Sequence, residues 1–220
     1  MKTKMLSTRN LSLLPDIESL RQRLQQMAAI ESVFAIEYGA SQFEFHPQWD
    51  RSEQMGAFKN GSGDEIYAHF TQSGCIIIGF AHESAMSPYR TIPPELWPGL
   101  LSGVPVEFKE SLAEPAFDLA NTTFVVWRLS TDTVWRTATV EYPNDEYGDG
   151  SHELLSHFIY TEKQLAEWLA DNYEVEVDTA IVASVFQNRP LTNLQLSTLN
   201  PDTKTNKLRQ TVAETGYPLG

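Results

Sequence analysis

The residues with the most chemical potential in this chain lie at two short loops. Gly79-Phe-Ala-His-Glu-Ser84 places a histidine, a carboxylate and a hydroxyl directly behind an apolar run, at the end of a rigid element from which side chains can reach a cleft. His82 could act as a general base oriented by Glu83. Adjacent strand residues point to opposite faces, so His82, Glu83 and Ser84 cannot form a triad in regular strand geometry. The Gly-x-Ser-x-Gly elbow of serine hydrolases is missing. The second loop, Lys59-Asn-Gly-Ser-Gly-Asp-Glu65, reads as a hairpin turn because Asn and Gly tolerate positive φ. It is not a phosphate-binding loop, since Asp64 and Glu65 stand where Lys and Ser or Thr are needed. Asp64, His69, His82 and Glu83 would make a hydrolytic cluster if folding brought them together.

No metal site is expected. The single cysteine, Cys75, excludes a thiolate zinc site and an internal disulfide, and His152 and His157 fall on different faces of a helix. The acidic stretch Asn144-Asp-Glu-Tyr-Gly-Asp-Gly150 fails the EF-hand template. Counted from Asp145, Tyr147 takes the third liganding position and Ser156 the place of the bidentate glutamate. That stretch reads instead as a solvated loop, with Asp145, Glu146 and Asp149 available to a partner. Trp49 and Trp97, in loops among Pro and Gly, are the aromatic candidates for a partner contact. Trp127, Trp135 and Trp168 lie in regular elements and read as core.

These loops must be positioned by a scaffold of mixed type. The chain has 220 residues, 41% of them hydrophobic, which is enough for a real core. Its formal charge of −13 opposes binding to nucleic acid or an anionic membrane and favours a basic protein partner. No apolar run approaches a membrane span and no leader peptide is visible, so a cytoplasmic location is expected, with no cofactor.

Residues 15–37 carry helical spacing at Ile17, Leu20, Leu24, Met27, Ile30 or Glu31, and Phe34. The stretch 33–38 is β-branched and aromatic enough to enter a strand instead. Over 42–140 the period shortens to two. Phe43 and Phe45 alternate with polar neighbours, as do Ile66, Ala68 and Phe70. Residues 75–80 are apolar without alternation, which predicts a central strand covered on both faces. Residues 122–129 and 133–140 read as two more strands, and the insertion at 87–115, with six prolines, as an irregular connection with short helical turns near 95–101 and 106–112. Residues 151–212 are helical, with capping boxes at Thr161–Gln164 and Thr192–Gln195 and a cap at Asp178. The expectation is one α+β domain: an antiparallel meander of about five to six strands between an N-terminal helix and a C-terminal cluster of helices.

Several segments together resemble an uncharacterised family of bacterial proteins over most of the chain, from about Met27 to Pro218. They are Gln54-Met-Gly-Ala-Phe-Lys-Asn-Gly-Ser-Gly-Asp64, Gly79-Phe-Ala-His-Glu-Ser-Ala-Met-Ser-Pro88, Trp97-Pro-Gly-Leu, Glu114-Pro-Ala-Phe, Pro190-Leu-Thr, Leu199-Asn-Pro and Gly216-Tyr-Pro. The resemblance implies one bacterial domain with the loops of Asp64 and His82 on one surface, and carries no activity with it. In make-up the chain is also similar to the small acidic immunity and adaptor proteins that neutralise toxins. Two functions follow as expectations: a protein-binding module that meets a basic partner, or a small hydrolase or metal-dependent enzyme built on Asp64, His69, His82 and Glu83.

Overall fold

A computed structural model describes residues 5–143 and 148–220. Helix α1 (Ile17–Ala35) starts where Asp16 accepts the Ser19 N–H, and it continues through Val33 and Phe34, so this end does not enter a strand. Six strands follow: β1 (Phe43–His46), β2 (Gln54–Lys59), β3 (Glu65–Thr71), β4 (Gly74–Phe80), β5 (Phe124–Leu129) and β6 (Arg136–Thr137). They form one antiparallel sheet in sequence order, an α+β meander.

Pleating sorts the side chains between two cores. Cys75 and Ile77 face the larger cluster, together with Ile66, Ala68, Phe58, Phe124 and Val126. Ile76 and Ile78 face a second cluster with Tyr67, Met55, Val125 and Trp127. Strand β4 is therefore apolar on both faces because both faces are covered. The larger cluster is completed by α1 and by α3 (Ser151–His157), α4 (Glu162–Tyr173), α5 (Thr179–Phe186), α6 (Asn193–Leu199) and α7 (Thr205–Glu214). Both expected capping boxes are formed, at Thr161–Gln164 and Thr192–Gln195. Two glycines permit close packing. A Cβ on Gly56 would lie 2.8 Å from Leu24 Cδ1, where α1 crosses β2, and one on Gly79 would lie 2.1 Å from Phe124 Cζ.

The proline-rich insertion covers the other face of the sheet. Phe108 and Phe117 bury themselves in the second cluster, with Leu101, Val104 and Leu112 against it. Its regular structure is single 3-10 turns and the short helix α2 (Lys109–Ala113). Where short helical turns were expected over 95–101, residues 98–101 form turns and 95–97 carry no regular structure. The expected strand over 133–140 shrinks to the two residues of β6. Trp135 turns inward instead, and its indole N–H donates to the Pro15 carbonyl at 2.6 Å, which draws the chain out of the ladder.

Burial pushes the Cys75 thiol well above its usual pKa, and no part of the residue is exposed. Native protein should react with a thiol reagent orders of magnitude more slowly than free cysteine, because only the thiolate attacks. Stopped-flow labelling with and without denaturant measures the ratio, and a native rate equal to that of free cysteine would contradict the two-sided burial of β4.

Candidate functional site

Strand β4 ends at Phe80, cross-strand from Glu65, the first residue of β3, so the loops before β3 and after β4 meet at one edge of the sheet. Asn60 shapes the first loop: its side-chain oxygen accepts the N–H groups of Ser62 (2.8 Å) and Asp64 (3.1 Å), while its amide donates to Asp64 Oδ2 at 2.8 Å. Asp64 then receives two bonds through Oδ1, from the His82 backbone N–H at 2.8 Å and from its ring Nδ1 at 2.9 Å. Glu83 closes on the other ring nitrogen, Nε2, at 3.1 Å. The hydrogen bond that the ring makes to Asp64 is the first cause that raises the His82 pKa. A protonated ring donates to Asp64 from Nδ1, and Glu83 lies against Nε2 as an ion contact without a directed hydrogen bond. In that state His82 has no lone pair to take a proton from a nucleophile, so the trio ties two loops together at the surface.

His69 is not part of it. It lies on the β3 face that carries Tyr67 and is buried among the second cluster. Nδ1 is 2.9 Å from the Ser111 hydroxyl, and a Glu53 carboxylate oxygen stands 3.0 Å from Nε2, off the direction of a hydrogen bond. Burial lowers the His69 pKa against the pull of Glu53. Ser111 is itself buried beneath the same cover, so its hydrogen bond with His69 fastens α2 onto the sheet. The expected four-residue cluster thus divides, with Asp64, His82 and Glu83 at one end and His69 inside. Among the described residues no group of three His, Cys, Asp or Glu side chains is placed to hold a metal ion.

The sequence indicated neither of two concavities. The first, about 110 Å³, opens beside Gly63, and His82 Nδ1 lies 3.5 Å from where a Gly63 side chain would begin. Glu65, Tyr67 and Phe80 of the sheet form one wall, and Phe117, Asp118 and Thr122 form the other. The Tyr67 hydroxyl donates to Glu65 Oε2, and Asn121 donates to Asp118 at 2.6 Å. Burial, then Glu65, pushes the Tyr67 pKa up. Thr122 reads in sequence as one more β residue; in the fold it is fully buried against this cavity.

The second is an open groove of about 500 Å³ between Arg90, Trp97 and Pro98 on one side and Glu141, Tyr142 and Pro143 on the other. The Arg90 guanidinium lies 4.8 Å from the Trp97 ring centre, and donates to the carbonyls of Ser87 (2.9 Å) and Glu95 (2.8 Å). Trp97 donates to the Glu141 carbonyl at 2.9 Å. Tyr89 and, at 99% exposure, Ile92 project from the same turn.

The remaining binding candidates fall elsewhere. Trp49 is half-buried and stacks on Phe117 at 5.9 Å, pinning the β1–β2 loop onto the second cluster. Asp145 and Glu146 lie outside the described residues. Asp149 is not a solvated loop residue: it is 3% exposed and accepts bonds from the Thr8 hydroxyl, the Ser151 N–H (3.1 Å) and the Ser151 hydroxyl (2.8 Å). It fastens the N-terminal segment to the start of α3. Among the described residues no helix is long and apolar enough to cross a membrane. Comparison with known protein families, curated proteins and solved structures returned no match to this chain.

Proposed function

We propose that this chain is a bacterial, cytoplasmic protein-binding module, immunity-like or regulatory, whose partner is basic. The observation that carries the reading is the groove at Trp97. It joins an aromatic ring, a stacked arginine and two prolines to the exposed apolar tip of Tyr89 and Ile92. Aromatic and arginine side chains are the residue types enriched where protein partners bind most strongly. The net charge of −13 adds long-range attraction for a basic surface. The alternative, a small hydrolase or metal-dependent enzyme, rests on the Asp64–His82–Glu83 contact, whose hydrogen bonds are those of a brace.

A photo-crosslinking amino acid in place of Ile92, expressed in the source cells, tests the reading. Irradiation is expected to capture one discrete protein, identified by mass spectrometry as rich in Lys and Arg, and Trp97→Ala should reduce that capture at least tenfold. The same crosslinker in place of Leu194, 78% exposed on α6, serves as the control. Capture of the purified partner should also weaken between 0.1 and 1 M salt, as the Debye length falls from ~10 to ~3 Å. No discrete product at position 92, or equal products at 92 and 194, would overturn the proposal.

A further inference from the structure

Asn60-Gly61 is the one place in the sequence where an asparagine precedes a glycine. The nitrogen of the following peptide bond can attack an asparagine side chain, and glycine, with no Cβ, leaves that nitrogen unshielded. Gly61 is exposed, and no atom beyond its chain neighbours lies within 4 Å of where a Cβ would stand. Its N–H is bonded to no group among the described residues. The attacking atom is therefore open.

The side chain it would attack is held. Asn60 Oδ1 accepts the N–H groups of Ser62 and Asp64 at 2.8 and 3.1 Å, and Nδ2 donates to Asp64 Oδ2 at 2.8 Å. Two donors on one side of the amide and a carboxylate on the other settle which atom is oxygen. The Asn60 N–H also closes the β2–β3 hairpin on the Asp64 carbonyl at 3.1 Å. An amide pinned at both its oxygen and its nitrogen cannot rotate to offer the face of Cγ to the Gly61 nitrogen. Reaction has to wait until the turn opens.

We infer that the β2–β3 turn is a self-modification site, whose substrate is the chain itself and whose co-reactant is water. When the turn opens, the Gly61 nitrogen gives its proton to solvent base, and the electron pair so freed forms a bond to Asn60 Cγ. The Cγ–Nδ2 bond breaks, and the departing nitrogen keeps that pair and takes a proton from water. Ammonia leaves, and a cyclic imide remains. Water then opens the ring at either carbonyl. Opening at Cγ leaves an aspartate at position 60. Opening at the backbone carbonyl leaves Gly61 joined through Cγ, an isoaspartyl link with one more atom in the main chain.

Neither product rebuilds the turn. The aspartate brings a second carboxylate to the place where Nδ2 met Asp64 Oδ2, and like charges at hydrogen-bond distance repel. The isoaspartyl link moves the carboxylate onto Cα and lengthens the hairpin, which displaces the closing bond as well. Asp64 is also the residue whose Oδ1 holds the His82 N–H at 2.8 Å and its ring at 2.9 Å. Either product thus loosens the tie between the two loops, and a transient opening becomes permanent. This chemistry lies beyond the protein-binding reading and makes no use of the Trp97 groove.

Peptide mapping by mass spectrometry, with fragmentation that separates aspartate from isoaspartate, follows Asn60 in native buffer and in urea at one pH. Each of the three side-chain bonds is worth a factor of about five, so native protein should convert roughly a hundredfold more slowly than the unfolded chain. Asp64→Ala removes the partner of Nδ2 and leaves the hairpin backbone in place. It should convert about fivefold faster than wild type in native buffer and at the wild-type rate in urea. Hydrogen exchange at the His82 amide, read by NMR, should rise about tenfold in aged, converted protein and in Asn60→Asp. Conversion as fast in native buffer as in urea, or none in urea, would overturn the site. A native Asp64→Ala rate equal to wild type would show that these bonds do not guard Asn60. Unchanged His82 exchange in the converted protein, whatever Asn60→Asp shows, would overturn the link to the His82 loop.

Discussion

Replacing Glu31 with alanine should destabilise the protein by about 3–5 kcal/mol, the largest effect expected of a single substitution here. Glu31 is wholly buried on α1, and its carboxylate accepts three bonds. Two come from the Gln42 and Phe43 N–H groups that lead into β1 (2.8 and 2.5 Å), and one from the Tyr173 hydroxyl of α4 (2.5 Å). Alanine would leave all three donors buried without an acceptor. Glu31→Gln keeps one carbonyl oxygen and should lose less. Burial outweighs these donors and raises the Glu31 pKa from 4.5 to about 7.

The sign of the pH dependence follows. Between those two values the folded state holds a proton that the unfolded chain has released, so stability falls as pH rises through the window. The fall attributable to Glu31 is about 3 kcal/mol. His69 and His157, whose pKa values burial lowers, contribute the opposite slope in both proteins and cancel in the difference. Urea midpoints of wild type and Glu31→Gln from pH 4.5 to 7.5 give that difference. The glutamine variant should gain on the wild type as pH rises, and a flat difference would show that Glu31 titrates normally.

Asp149→Ala should cost about 3 kcal/mol, or roughly 6–12 °C in melting temperature for a chain of this size. Its carboxylate is the common acceptor for Thr8 and Ser151, and the Ser151 hydroxyl in turn accepts the Thr8 N–H at 3.0 Å. Truncation therefore strips partners from two segments far apart in sequence. Asp149→Asn, which retains one oxygen, should fall between. Calorimetry distinguishes this from surface charge: a solvated acidic residue would change the melting temperature by no more than a degree or two, as most surface substitutions do.

Asp149 also shows where sequence reasoning stops. The acidic and small residues around Tyr147, from Asn144 to Gly150, look solvated in sequence, and nothing local says that Thr8, some 140 residues earlier, will arrive to bury Asp149. What is local was legible. The two-sided apolarity of residues 75–80, the capping boxes and the Asn-Gly turn each express their cause within a few residues. Helix α7 fell only within the broad helical span of residues 151–212, with no start or stop of its own, because its buried stripe is only Leu208 and Val212 in an otherwise polar run. The strand over 133–140 was overread because β propensity is silent about a tryptophan drawn to Pro15. At the site, the pairing of Asp64 with His82 was accessible, since adjacent strands bring their loops together. The separation of His69 follows from pleat parity, which sends it to the face opposite Ile66, Ala68 and Phe70. The grouping of Glu65, Asp118 and Thr122 around one cavity depends on how the proline-rich cover lies on the sheet, and no spacing encodes that.

The meander leaves the sheet with two open margins, β1 of four residues and β6 of two. A long bare margin is a template on which a second chain can continue hydrogen bonding, the first step toward runaway association. Here one margin is too short to template anything, and at the entry to the other the Glu31 carboxylate already occupies N–H groups that an incoming strand would need. Loss of that carboxylate would therefore unblock a margin as well as loosen a core. A Glu31→Ala protein should self-associate more readily than the wild type under conditions that only partly unfold it.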